Sequence, residues 1–351
     1  MTSNKLMWHL DRLKDWSDCK RIAPLHIELG LTNVCNFRCT YCYAQFFGKA
    51  EIKDRIDLPK EAIIGLFNDA KEIGVRSITL IGEGEDTLSP YFYDTLKCAR
   101  DIELDLGIAT NGIPLKIYKA KEVLESFVWM RFSLGAANSE TYKLVHGVDM
   151  FDYFIEVIST YINERNKNNL YTTIGLQMVV INQNMDQIVP IAKLGKELGV
   201  DYFVAKPCSD TPDSKLGIKH EQYLQLEEYF KEAETYATND YNVIMKRAKF
   251  SNMGKCTYDK CRGTQFVIAI DAKGNVAPCG HLLGYRAEVF RMGNIIEQSF
   301  KDIVNSERYW EVQNKVLNLN VDEECETNCF HTGINVFLSE LMNPPEHINF
   351  V

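Results

Sequence analysis

No apolar run in this 351-residue chain approaches the roughly 20 residues that a membrane-spanning helix needs. The start, Met1-Thr-Ser-Asn-Lys5, is polar and charged and lacks the apolar stretch of a signal peptide. There is no long basic block: 39 Lys and Arg face 48 Asp and Glu, a net charge of −9, with the two signs interspersed. That excludes the broad positive face a nucleic-acid backbone requires, and leaves room only for a local basic cleft suited to a phosphorylated small molecule. Internal repeats and low-complexity tracts are also missing. The expectation is a cytoplasmic protein with no membrane span and no nucleic-acid partner.

What the chain does have is a large apolar share and many cysteines. With 46% apolar and 11% aromatic residues it can bury a core large enough for one sizeable domain and a smaller one. Its eleven cysteines are clustered. In so long a chain that favours metal sites over disulfide staples, and hence a reducing compartment.

The first cluster is Cys35-Asn36-Phe37-Arg38-Cys39-Thr40-Tyr41-Cys42, just after the strand-like run 26–32. Three thiolates in a compact loop can converge on one iron–sulfur cluster. Three ligands on a four-iron cluster leave one iron open for a small molecule. A zinc knuckle wants paired Cys-x2-Cys or Cys/His sets, which this loop lacks.

The motif Cys-x3-Cys-x-aromatic-Cys, here Cys35, Cys39, Tyr41 and Cys42, resembles the radical S-adenosylmethionine (SAM) superfamily. The resemblance implies a [4Fe–4S] cluster whose open iron chelates the amine and carboxylate of SAM. It also implies reductive cleavage of SAM to a 5′-deoxyadenosyl radical that takes hydrogen from a substrate, with a flavodoxin- or ferredoxin-type protein as reductant.

From His26 short apolar strands alternate with amphipathic helices, the pattern of an α/β fold with a parallel sheet. Strands are expected near 26–32, 77–83, 105–110, 128–135, 171–181 and 201–207. Helices are expected near 59–73, 90–102, 114–125, 138–146, 152–167 and 185–198. Periodicity alone does not separate an open sheet from a barrel; the resemblance implies a partial (β/α)6 TIM-like barrel, with chemistry at the C-terminal strand ends.

The turn Ile81-Gly82-Glu83-Gly84-Glu85-Asp86 resembles the family's Gly-Gly-Glu motif, whose backbone and acid receive the SAM amine; Gly84 and Glu85 keep the match. By the same resemblance Asn111 of Thr110-Asn111-Gly112, Ser133 of Arg131-x-Ser133 and Ile181 of Val179-Val-Ile-Asn182 contact SAM, Ser133 at the ribose and Ile181 at adenine. Glu140-x-Tyr142 and His146-Gly147 follow a Glu-x-Tyr and Arg-Gly pattern in which His146 replaces Arg; this helix reads as structural. Cys208, after the sixth strand, is a candidate hydrogen donor, the role an epimerase needs, or a passive thiol.

The second cluster is Cys256, Cys261, Cys279, Cys325 and Cys329, with a hairpin pattern and a turn at Gly274 between Cys261 and Cys279. A zinc ribbon is the alternative to iron and sulfur here. Cys261-x12-Gly274-x4-Cys279 and Cys325-x3-Cys329 resemble the opening and close of the SPASM extension in its shorter twitch form. That implies one auxiliary [4Fe–4S] cluster, with Cys256 competing with Cys325 for the fourth ligand position. A helix near 299–317 returns the chain to the last pair, and His281 is a candidate base or hydrogen bonder.

The domain expectation is a cap at 1–25, the barrel at 26–210, a helical bridge at 211–250, and at 251–351 a twitch/SPASM-like hairpin-plus-helix extension and tail. The functional expectation is oxidation of an alcohol on a small-molecule substrate, a sugar, sugar nucleotide or cyclitol, with the auxiliary cluster as electron acceptor. The tail Gly333-Ile-Asn335 and Pro344-Pro-Glu-His347-Ile-Asn-Phe350 looks like the ends of radical SAM proteins of sugar pathways. The alternatives are a peptide substrate modified by a maturase, a radical epimerase using Cys208, and a non-catalytic iron–sulfur scaffold. Only residues 1–25 precede the first strand, which lowers the expectation of a leader-peptide-binding domain.

Overall fold

The computed structural model describes residues 4–44, 50–210, 216–326 and 328–349. Ten strands of the described residues form one sheet in the order β10-β9-β8-β1-β2-β3-β4-β5-β6-β7, in which β7 is Asn242–Met245, β8 Val267–Ile270, β9 Asn275–Ala277 and β10 the two-residue edge strand Gly293–Asn294. The six expected strands are β1 His26–Leu29, β2 Ser77–Leu80, β3 Asp105–Thr110, β4 Trp129–Ser133, β5 Thr173–Val180 and β6 Tyr202–Pro207. Each pairs in parallel with the next, as crossover helices require. The helices between them bury one face, as Ile63, Leu66, Phe67 and Ala70 of Lys60–Glu72 illustrate. The fold is the α/β partial TIM-like barrel with a C-terminal extension.

Alternation along the strands decides what lines the barrel. On β4, Met130 and Phe132 are fully buried against the helices, while Trp129, Arg131 and Ser133 face the interior. Two rings plug its lower end: a Cβ on Gly107 would lie 2.4 Å from Trp129, and one on Gly175 would lie 2.1 Å from Tyr202. Glycine at those in-register positions makes space for the rings.

Three readings need correction. The stretch expected as a helical bridge contains β7, Asn242–Met245, which pairs in parallel with β6; four residues are too few to show a period beside the preceding helix Glu227–Glu234. Residues 211–215 of that stretch lie outside the described residues. The single helix expected near 299–317 is two, Phe300–Asn305 and Glu307–Leu317, because Ser306 turns extended and caps the second by accepting from Tyr309 N. The helix expected near 114–125 is present but shorter, a 3-10 turn Ile117–Lys119 running into the α-helix Ala120–Leu124.

The C-terminal hairpin, β8 Val267–Ile270 and β9 Asn275–Ala277, turns at Gly274 with φ +80°. It does not stand apart: β8 pairs in parallel with β1 and extends the sheet beyond the barrel's first strand. The N-terminal helix Leu10–Ser17 packs with Phe266 and Leu338 in a small apolar cluster below it. No helix among the described residues is long and apolar enough to cross a membrane.

Candidate active site

Beyond β1 the chain runs to the first cysteine loop along the β2 turn. Leu31 N donates to Asp86 Oδ1 (2.6 Å) and Glu85 N donates to Val34 O (2.9 Å). The approach is so close that a Cβ on Gly84 would lie 2.3 Å from Thr32 O and 2.6 Å from Val34 O. Glu83, whose place in the motif was open, accepts from Ala272 N (3.1 Å) and so ties the β2 turn to the end of β8.

The loop itself is docked on the helix Ser139–His146 through Arg38 N to His146 O (3.0 Å) and Thr40 N to Val145 O (2.9 Å). Phe37 N donates to Cys35 Sγ at 3.3 Å. His146 is fully buried among Phe37, Tyr41 and Tyr142, with Nδ1 3.2 Å from Cys39 Sγ and Nε2 accepting from Gly135 N at 2.9 Å. Burial pushes its pKa down to about 3, so it is neutral. The helix read as purely structural therefore carries a side chain that touches a cysteine of the motif.

Around this loop the strand ends are stitched together by buried polar groups. Glu85, expected to face a SAM ammonium, is engaged elsewhere: it accepts from Thr110 Oγ1 (2.5 Å), Thr87 Oγ1 (2.7 Å) and Asn111 N (2.8 Å). Desolvation is the larger influence on it and raises its pKa despite these bonds. A carboxylate with three close donors braces β2 against β3. Asn111 Nδ2 donates to Asn36 Oδ1 (2.8 Å) inside the cysteine loop and reaches Cys35 Sγ at 4.0 Å. Asn184, which the sequence did not flag, accepts from Ile181 N (2.8 Å) and donates to Gly135 O (3.1 Å) and Val179 O (3.0 Å), joining the ends of β4 and β5. Ser133 lies on the interior face of β4, partly exposed, and Ile181 is buried beside Cys208 and Tyr41.

Cys208 is 1% exposed, with Sγ 4.0 Å from Tyr41 O and its backbone N donating to Tyr223 Oη (3.2 Å). Burial pushes its thiol up to about 12, so it keeps its hydrogen. Asn328 Nδ2, on the loop between the last two cysteines, donates to Cys208 O at 3.1 Å. This residue therefore sits where the first cysteine loop and the C-terminal cysteine loop come together.

The second set gathers around the hairpin's open end. Cys261, Cys279, Cys325 and Cys329 lie within electrostatic reach of one another. Cys256 reaches Cys329 and Cys261, and its Sγ lies 3.6 Å from Val321 O. Asn335 holds Cys261 from beneath: Oδ1 accepts from Arg262 N and Gly263 N, both at 2.7 Å, and Nδ2 donates to Cys261 Sγ at 3.4 Å. The C-terminal motif read as a pathway pointer thus supplies an anchor for the first cysteine of this set; Phe350 lies outside the described residues. His281 stacks on Tyr285, and its Nε2 lies 3.0 Å from Glu324 O, a bond that fits a brace between the Cys279 helix and the Cys325 loop better than a free base.

Buried donors test whether this set fits a cluster. Tyr258 Oη and both ring nitrogens of His331 are buried facing the same cysteines, Tyr258 toward Cys256 and His331 toward Cys261 and Cys329. His331 N donates to Cys329 Sγ at 3.3 Å. Donors turned toward sulfur in a buried site are what cluster sulfurs accept. Among the described residues no three His, Cys, Asp or Glu group tightly enough to chelate a single ion.

Between the two cysteine sets lies a charged interior that the sequence did not reveal. Glu28 of β1 is within electrostatic reach of His331, Cys329, Arg131 and Lys206. Lys206 in turn faces Arg131, Lys249 and Glu326, and burial lowers its pKa to about 8. Glu326, between Cys325 and Cys329, is raised to about 8 by burial and lies within reach of Lys206, Lys249 and Glu28. Lys249 Nζ donates to the carbonyls of Asn328 and Cys329, both at 2.9 Å. Arg131 packs over Trp129 at 5.2 Å and leaves its buried Nε without a partner. All five are strongly desolvated yet none is closed off from solvent. Side chains with both properties form a buried charged cluster that solvent still reaches.

The chain matches the radical SAM superfamily model over residues 29–195 and an iron–sulfur cluster-binding domain model, SPASM, over residues 261–330. A probable GTP 3′,8-cyclase of Saccharolobus islandicus is 30% identical over 205 residues, 58% of this chain; the chain spans 63% of that relative's length. A Pyrococcus furiosus protein named as modifying the cofactor of tungsten-containing aldehyde ferredoxin oxidoreductase is 26% identical over 298 residues, 81% of this chain and 82% of its own. Among solved structures, Streptococcus suis SuiB bound to S-adenosylmethionine superposes with a TM-score of 0.67 at 18% identity, covering 88% of this chain and 72% of SuiB. The structure of anSMEcpe with bound AdoMet superposes with a TM-score of 0.61 at 16% identity, covering 84% of this chain and 85% of that one. These low identities speak for the fold alone. The protein belongs to the radical SAM superfamily and carries a C-terminal SPASM domain, and its cofactors are accordingly a [4Fe–4S] cluster, SAM and auxiliary iron–sulfur.

Proposed function

We propose that the protein oxidises an alcohol on a small polar substrate, of the sugar, sugar-nucleotide or cyclitol class, enclosed between its two cysteine sets. The observation that carries this is the junction at Cys208, which touches Tyr41 of the first loop and Asn328 of the second, beside the buried charged cluster. Cys35, Cys39 and Cys42 would hold the SAM-binding cluster. Cys261, Cys279, Cys325 and Cys329 would hold the auxiliary one, with Cys325 favoured over Cys256 because it reaches all three other thiols. When bound, these groups supply a 5′-deoxyadenosyl radical and an electron acceptor.

The chain's own groups then have definable tasks. The alcohol must lose one hydrogen atom, one proton and one electron. The proton has acceptors in Glu28 and Glu326 once they are ionised, and burial, which raises both above the usual carboxylate range, makes them stronger bases. Arg131, Lys206 and Lys249 offer donors to hydroxyls or to an anionic substituent. The rings of Trp129 and Tyr202 close the lower end of the barrel against water. The backbone of the Gly84 turn and Ser133 would position SAM.

The charged cluster favours a small polar substrate, and the names of the two sequence relatives, one acting on GTP and one on a cofactor, point the same way. Peptide maturation is the second reading. The test has two steps. Iron and sulfide of anaerobically reconstituted protein should be about eight per chain, falling to about four in the Cys35→Ala/Cys39→Ala/Cys42→Ala variant, which should no longer cleave SAM. Deuterated sugar alcohols, sugar phosphates and nucleotide sugars should then transfer label into 5′-deoxyadenosine with a ketone as product. Label transfer from peptides alone would overturn the small-substrate reading, and SAM cleavage by the triple variant would overturn the site.

A further inference from the structure

We infer that His146 is a positioning residue for the SAM-binding cluster, donating an N–H···S hydrogen bond from Nδ1 to Cys39 and so raising the cluster's reduction potential. The inference rests on the reading of Cys39 as a cluster ligand. A backbone N–H can only donate, so the 2.9 Å contact from Gly135 N makes His146 Nε2 the acceptor. A neutral imidazole has one N–H, and with Nε2 accepting it must sit on Nδ1, 3.2 Å from Cys39 Sγ. The direction of the bond is thus fixed by a neighbour that cannot be reversed.

The setting keeps it there. His146 is fully buried, and Tyr142, Phe37 and Tyr41 surround the ring with centroids 4.4, 5.5 and 5.9 Å away. Its own carbonyl accepts from Arg38 N (3.0 Å), one residue before Cys39. Backbone and side chain of one residue therefore grip the cysteine loop from the same side. The other ring nitrogen holds Gly135, two residues past Ser133, whose carbonyl is in turn held by Asn184. One imidazole thus connects the exit of β4 to a ligand sulfur.

An N–H donor withdraws charge from a thiolate and stabilises the reduced cluster more than the oxidised one; hydrogen bonds to sulfur are among the determinants of cluster potential. The two halves of the role can be separated by substitution. An asparagine amide reaches the Nδ1 position and keeps the donor to Cys39 while losing Gly135. A glutamine carbonyl reaches the Nε2 position and keeps Gly135 while losing the donor.

The test is an EPR-monitored redox titration of the holoenzyme, following the signal that changes when SAM is added. In His146→Gln and His146→Leu the reduced-to-oxidised ratio at a fixed poise should fall about tenfold, ~59 mV for a one-electron couple. His146→Asn should stay within about twofold of the parent. Unchanged potentials in all three, or a shift in Asn without one in Gln, would overturn the inference in favour of a purely structural clamp. Because a buried histidine can be hard to replace, a second measurement uses the unmodified chain. Protein labelled with 15N-histidine should show a histidine-nitrogen hyperfine coupling on the reduced, SAM-responsive cluster, and absence of that coupling overturns the inference. Iron retained in full by Cys39→Ala would instead show that the ligand assignment itself is wrong.

Discussion

Asn335 offers a test that separates holding the fold from holding the cluster. Its Oδ1 is the acceptor for two backbone donors, Arg262 N and Gly263 N, and its Nδ2 faces Cys261 Sγ. Asn335→Leu keeps the volume and removes both functions. A buried donor left without a partner costs about 1–3 kcal/mol. Gly263 N is buried and Arg262 N only partly so, which puts the loss at about 2–4 kcal/mol. At about 2 °C per kcal/mol for a chain of this size, the reduced apoprotein should melt about 4–8 °C lower. Asn335→Asp behaves differently. It keeps an acceptor for both N–H groups but turns a carboxylate oxygen toward the Cys261 thiolate. The apoprotein should then melt close to the parent, while reconstitution should leave the auxiliary site short of iron and the SAM-side cluster intact. The assay is anaerobic scanning calorimetry beside iron analysis. A Leu variant melting within 1 °C of the parent would show that Asn335 is not the acceptor (on the order of the sensitivity implied by that slope). Normal iron loading in the Asp variant would show that the sulfur contact is unimportant.

Three further outcomes follow from the geometry. Gly84→Ala would press a methyl group against backbone atoms that cannot yield, so SAM affinity and SAM-side iron should fall with the auxiliary iron retained, measured by calorimetric titration and iron analysis. Cys208→Ala should leave alcohol oxidation largely intact; loss of all turnover with SAM cleavage preserved would make the protein an epimerase, for which a thiol held protonated by burial is suited. Lys206 is held down to about 8 by burial, so its charge is present below that pH and absent above it. If it binds substrate, KM should rise as pH passes about 8, and Lys206→Met should remove the inflection. Stability should move the other way: between about 8 and the unfolded value of about 10.4 the unfolded chain binds the proton that the folded chain has released, so stability rises with pH from this group. A KM rise accompanied by falling stability would point to denaturation instead.

The spacing of Cys35, Cys39 and Cys42 and the alternation of strand and helix are local properties, and both could be read directly. Strand centres were legible because Val, Ile and Leu on parallel strands are buried on both faces. Their ends were not, because a strand stops where pairing stops, and β7 depends on its pairing with β6; the Ser306 break is a local cap that interrupts an otherwise continuous helical pattern. The cysteines after residue 250 were also legible as a set, since thiols in such number have few other uses in a reduced chain.

Roles of single polar residues were the least legible. Glu85 matched a motif for binding an ammonium, yet the ends of β2 and β3 engage it with three donors. His146 looked like a departure within a structural helix, and Asn335 like part of a tail; each turned out to touch a cysteine sulfur. No sequence signal marked Glu28, Arg131, Lys206, Lys249 and Glu326 as companions, because they come from β1, β4, β6, a short helix and the last cysteine loop. The sequence by itself determined the cofactor chemistry, since ligand spacing within a loop is covalently fixed. Tertiary structure alone decided what surrounds it, because strand register and loop docking bring charges hundreds of residues apart into one desolvated cluster, where their partners and pKa values are set.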